Sequence, residues 1–169
     1  MNLYVGVDDS NHAGDRKGDI LVATFSIDKK QSTNFNWGKS RNTQKLKELL
    51  DSGELDYRFA ILFDKTLRTL QPNLPLVTPF LVNNYLDDNK CPEHLRIYFD
   101  GQLKSWHKSF LRESFKDQFD TPHLTLANFI KRQRVHNCPG VVYYADVLSN
   151  QLYRENFYDT MENSRRVEV

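Results

Sequence analysis

Hydrophobic and polar positions divide the chain into alternating stretches with two different periods. Leu3-Tyr4-Val5-Gly6-Val7 runs straight into Asp8-Asp9-Ser10, and its β-branched valines predict an opening strand. Asn11 to Gly18 is a polar, Gly-containing connection. Asp19 to Ile27 is apolar on both faces at first and then alternates, which predicts a second strand, paired with the first as an antiparallel hairpin. Asp28 to Lys39 is polar, with Phe35 and Trp37 alternating as a short edge strand. Asn42 or Thr43 caps a helix whose stripe is Leu46, Leu49 and Leu50, and Gly53 ends it. Tyr57 to Phe63, apolar apart from Arg58, stops at Asp64 and reads as a strand covered on both faces.

Leu67 to Pro79 contains three prolines and reads as loop. A helix then starts with Thr78 as cap and Pro79 in its first turn, and runs to about Asp88. His94 to Gly101 predicts a strand ending in Asp100, and Lys104 to Phe119 a helix. Thr121 to Ile130 reads as a strand with His123, Thr125, Ala127 and Phe129 on one face. Lys131 to Gly140 is a basic, turn-rich loop. From Val141 to about Arg154 the period returns to helical, with Val141, Tyr144, Ala145, Leu148 and Leu152 on the apolar face. The tail beyond about residue 160 is expected to be flexible. Strands alternating with helices after an opening hairpin predict one α/β domain, a mixed sheet with helices packed on it.

Composition narrows the function classes. The 169 residues permit one domain with a sizeable core. A net charge of +1 gives no global field, so any basic footprint for nucleic acid must be local. Cys91 and Cys138 lie far apart, which argues against a zinc knuckle and supplies no disulfide framework. No apolar run approaches the ~18 residues of a membrane span, and no basic-then-apolar leader opens the chain. The expectation is a cytoplasmic protein without membrane contact. Gly-rich phosphate loops and a G-x-S-x-G elbow are both missing, so neither a nucleotide cofactor nor serine hydrolysis is expected.

The chemistry concentrates in carboxylates. Strand neighbours point to opposite faces, so Asp8 and Asp9 diverge. Predicted strands end at Asp8/Asp9, Asp64 and Asp100, and α/β folds bind ligands beyond the carboxyl ends of their strands. Asp146 falls in the first turns of the last helix. If Asp8, Asp100 and Asp146 converge, their repulsion is relieved by a hard cation such as Mg²⁺ or Mn²⁺. Two such ions ~4 Å apart activate a water and stabilise the leaving oxygen in phosphodiester cleavage. Each carboxylate alone also has a plainer account: a turn after a strand, or a favourable charge near a helix N-terminus.

Val7-Asp8-Asp9-Ser10, Ile97-Tyr98-Phe99-Asp100 and Tyr144-Ala145-Asp146-Val147-Leu148, in that order, resemble the ribonuclease H-like superfamily. More narrowly, they resemble a family of uncharacterised bacterial, archaeal and phage domains that open on an Asp-Glu-Ser-Gly motif. The resemblance implies a ribonuclease H-like mixed sheet and a Mg²⁺ or Mn²⁺ site at Asp8, Asp100 and Asp146, with Asp9 a secondary ligand. Two departures stand out: Asp9 replaces the usual Glu, and the Gly is delayed to Gly14. His136 precedes Asp146 by ten residues. It is similar to the mobile histidine that, in type 1 ribonucleases H, assists proton transfer or product release, a task suited to an imidazole. A solvated loop histidine is the plainer account.

Two basic features fit a phosphate backbone. Lys131, Arg132 and Arg134 lie in the loop before the last helix. Lys104, Lys108, Arg112 and Lys116 recur every four residues along one helix ridge. Like charges at that spacing cost only ~0.2–0.5 kcal/mol per pair, so a merely solvated face tolerates them too. The expectation is a metal-dependent nuclease acting on DNA or RNA. The alternative is a catalytically inactive ribonuclease H-like module that binds nucleic acid or protein.

Overall fold

In the computed structural model, which describes residues 1–10, 19–29, 34–36, 43–62, 74–119, 121–129, 137–154 and 165–169, the opening hairpin forms the middle of a five-stranded sheet. β1 (Asn2–Ser10) pairs antiparallel with β2 (Asp19–Ser26), from Tyr4 opposite Ser26 to Ser10 opposite Ile20. β2 pairs antiparallel on its far side with β4 (Asp56–Leu62). On the other side of β1 lie β5 (His94–Asp100) and then β6 (Leu124–Phe129), both parallel to it. The order is β4-β2-β1-β5-β6, and β2 runs against the other four. β3 (Asn34–Asn36) pairs with β7 (Asn137–Pro139) in a separate two-stranded ladder.

The central strands are apolar on both faces, so both faces must be covered. Leu3, Val5, Val7, Leu21, Ala23, Leu95, Ile97 and Phe99 form one face. It is covered by α2 (Leu74–Asp88) and α3 (Ser105–Phe115) through Val77, Leu81, Leu111 and Phe115. Tyr4, Ile20, Val22 and Phe59 form the other face, covered by α1 (Thr43–Asp51) and α4 (Gly140–Arg154) through Leu46, Leu49, Tyr144, Leu148 and Leu152. The result is the expected mixed α/β architecture in three layers. Gly53, at φ 72°, closes α1 as the sequence implies.

Several elements differ from the sequence expectation. α2 begins at Leu74, and Pro79 lies inside it. A proline there removes the bond to the Pro75 carbonyl, at a cost of about 3 kcal/mol. Leu74 and Val77 are buried by the earlier start, and burying such side chains contributes roughly 1.5–3 kcal/mol each, enough to offset that loss. The Thr78 hydroxyl, expected to cap, donates instead to the Leu74 carbonyl at 2.7 Å. α3 ends at Phe115. Phe119 follows in a turn, its N–H donating to the Phe115 carbonyl at 2.8 Å. His123 sits in a single 3₁₀ turn (Thr121–His123), and β6 starts only at Leu124. Residues Asn137–Pro139, expected in a loop, are the partner of β3; Trp37 lies outside the described residues.

The end of the chain also departs from a frayed tail. The Val167 N–H donates to the Phe59 carbonyl at 2.8 Å, and Val167 is buried in the core. Arg165 pairs with Asp56 at 3.3 Å and stacks over the Tyr57 ring at 4.5 Å. β4 is an edge strand whose outer groups seek a partner, and this segment supplies one.

Candidate metal centre

Strand alternation places the carboxylates. Leu3, Val5 and Val7 face α2 and α3, so Gly6 and Asp8 face α4, while Asp9 turns to the opposite side. On β5, Leu95, Ile97 and Phe99 face α2 and α3, so Arg96, Tyr98 and Asp100 share Asp8's side. The parallel register runs through Val7 opposite Phe99. Asp8 and Asp100 are the next step on strands about 4.8 Å apart. Asp8 is 3% exposed and Asp100 half-buried, and the Oδ2 atoms of both are buried. The Asp9 N–H donates to Asp8 Oδ1 at 2.9 Å, which fixes the orientation of that carboxylate.

The covering helix carries the third acid. α4 starts directly over Gly6, where a Cβ would fall 2.2 Å from the Val141 carbonyl carbon. The buried Thr24 hydroxyl donates to the Val141 carbonyl at 2.6 Å and pins the helix start to the sheet. Asp146 is half-buried, and the Asn150 side-chain amide donates to its carbonyl at 2.7 Å and to its Oδ1 at 3.0 Å. Among the described residues, no group of three or more His, Cys, Asp or Glu is disposed to hold a metal ion. Asp8 and Asp100 thus lie on one sheet face at the carboxyl ends of adjacent parallel strands, and Asp146 lies on the helix that packs on that face. Two carboxylates on one face, each with a buried oxygen, form an all-oxygen donor set of the kind that suits a hard divalent cation such as Mg²⁺ or Mn²⁺.

The remaining candidates divide by position. Lys108 and Arg112 lie on α3, which covers the sheet face opposite Asp8 and Asp100. Lys104 immediately precedes α3, four residues beyond Asp100, and so stands at the carboxylate end of the sheet. Lys116 is paired with Glu113. His136, Lys131, Arg132, Arg134 and Asp64 lie outside the described residues. Sequence reasoning passed over Arg96. Its signal was available: it alternates with Leu95 and Ile97, which puts it in Asp100's row.

No helix among the described residues is long and apolar enough to cross a membrane. A scan against family models and a search of curated proteins each found no match. Among solved structures the chain is similar to the ribonuclease H2 from Pyrococcus horikoshii OT3, at 14% identity over 91% of this chain and 72% of that one, with a TM-score of 0.43. The decisive feature is the sheet itself, an antiparallel β1–β2–β4 meander continued by parallel β5 and β6. The fold is ribonuclease H-like.

Proposed function

We propose that this chain is a metal-dependent nuclease that hydrolyses phosphodiester bonds, with Asp8 and Asp100 as its central ligands. The observation that supports this is their shared face at the carboxyl ends of adjacent parallel strands, beneath the helix that carries Asp146. Asp8 and Asp100 would hold Mg²⁺ or Mn²⁺, which when bound supplies Lewis-acid polarisation of the phosphoryl group and acidifies a water. The chain's own groups do the rest. The Asp9 amide orients Asp8, and α4 shuts water out above Gly6. The more exposed Asp100 meets the substrate, while Asn150 keeps the Asp146 carboxylate in place. His136 is the proposed carrier of the leaving-group proton, and Lys131, Arg132, Arg134 and Lys104 are proposed phosphate contacts.

The test is cleavage of single-stranded, duplex and hybrid substrates with and without Mn²⁺, comparing the natural chain with Asp100→Asn. Loss of cleavage in the variant is the expected result; unchanged cleavage removes the assignment. The alternative is a nucleic-acid- or protein-binding module without catalysis. That reading predicts no thermal stabilisation by Mn²⁺, since an ion held only by the folded state raises its melting temperature.

A further inference from the structure

α4 packs chiefly on β1 and β2 of that sheet face and makes fewer contacts with β5. Along β5, Arg96, Tyr98 and Asp100 form one half-buried row, alternating with the buried Leu95, Ile97 and Phe99. Beside them in register stand exposed Thr125, opposite Arg96, and half-buried Ala127, opposite Tyr98. The Arg96 guanidinium lies 5.9 Å from the centre of the Tyr4 ring, and it has no carboxylate partner among the described residues. Tyr4 is itself buried, and its hydroxyl accepts from the Asn2 side-chain amide at 3.3 Å, so the support under the guanidinium is fixed. A half-buried cation near an aromatic ring, with no acid to balance it among the described residues, is poised for an anion.

We infer that this half-buried row of β5 is a binding track for a single nucleic-acid strand, with a backbone phosphate on Arg96, a base against Tyr98, and the strand leading to Asp100. The geometry sets a length. Arg96 and Asp100 are four residues apart along a strand, about 13 Å. Stacked nucleotides rise about 3.4 Å each, so about four of them span that distance. Thr125 and Ala127, beside the row, are small side chains. The inference rests on the nuclease reading only for the end of the track at Asp100; binding along it is independent of catalysis.

The test measures binding of fluorescent single-stranded DNA and RNA of two, four and eight nucleotides in EDTA, so that no cleavage intervenes. The natural chain is compared with Arg96→Gln and Tyr98→Ala. Arg96→Gln is expected to weaken the four- and eight-nucleotide ligands about tenfold. It should also flatten the dependence of log K on log salt by about 0.7, the share of one phosphate. Tyr98→Ala should weaken binding without altering that slope. Equal affinity and slope in Arg96→Gln overturn the track, as does displacement of the oligonucleotide by an acidic peptide with the same Arg96 dependence. Arg96-dependent binding in a chain that never cleaves supports the track and removes only the nuclease reading.

Discussion

Gly6 and Val141 touch backbone to backbone: a Cβ on Gly6 would lie 2.2 Å from the Val141 carbonyl carbon, 2.3 Å from its oxygen and 2.4 Å from the Val142 nitrogen. No side chain can swing away, so a methyl group there must push the whole start of α4 off the sheet. Gly6→Ala is therefore expected to cost about 3 kcal/mol in urea denaturation, at the upper end for an overpacked core. It also moves the helix bearing Asp146 relative to Asp8, so the proposed nuclease activity should fall even where the variant remains folded. A variant as stable as the natural chain would show that α4 has freedom this packing denies it.

Asp8 offers a prediction whose sign changes with the ion. Asp8→Asn removes one of two neighbouring negative charges and keeps an oxygen to accept the Asp9 N–H. In EDTA the variant should match the natural chain or exceed it by up to about 1 kcal/mol. With Mn²⁺ at a hundred times its dissociation constant, the natural chain should gain about 2.7 kcal/mol and the variant nothing. Thermal melts with and without Mn²⁺ separate the two, and equal stabilisation of both proteins places the ion elsewhere.

Much of this was legible in the letters because the physics was local. The apolar, β-branched run from Leu3 to Val7 located β1, and strand alternation puts Asp8 and Asp9 on opposite faces. Gly53 announced the end of α1 through the one backbone conformation it favours. What failed depended on distant packing. The start of α2 at Leu74 is set by the core that Leu74 and Val77 enter, against the local signal of Pro79. The docking of Val167 on Phe59 is a contact between positions more than a hundred residues apart, which no local pattern encodes. Arg96 was passed over for another reason: its alternation was legible, but that no carboxylate pairs with it among the described residues was not.

Arg58 ties the β4 edge to α2. It is 5% exposed, and its guanidinium donates to Asp56 and Asp88 at 3.0 Å, to Asn84 at 2.8 Å and to the Tyr57 carbonyl at 2.9 Å. Arg58→Ala leaves these acceptors without their donor and opens a cavity, and should cost about 3–5 kcal/mol. Asp88→Ala should cost under about 1 kcal/mol, because that carboxylate is 66% exposed and water replaces its partner. Arg58→Lys cannot fork between the acceptors and should fall between the two. Guanidinium denaturation midpoints give the ranking, and an Asp88 loss as large as that of Arg58 would contradict it.

His107 supplies the pH dependence. Its side chain is fully buried, and its Nδ1 accepts the Lys104 N–H at 2.9 Å, which places the ring proton on Nε2. That nitrogen is buried and has no hydrogen-bond partner among the described residues. Burial, and then the nearby Lys104 ammonium, push the imidazole below its usual pKa. Protonation would set a second N–H against that of Lys104. In the unfolded chain the same group takes its proton near pH ~6.5, so below that point the unfolded state binds more protons than the folded one. Stability should be flat with respect to this group above about pH 7.5 and fall as pH drops below about 6.5. His107→Asn keeps an acceptor for the Lys104 N–H but cannot titrate. It should lose about 1–2 kcal/mol at neutral pH from the smaller side chain, and lose the acid slope with it. Urea midpoints between pH 5 and 8 measure both effects in a range where most carboxylates stay ionised. If the two proteins lose stability in parallel from pH 6.5 to 5, the slope belongs to other groups and His107 is not the residue that feels the acid.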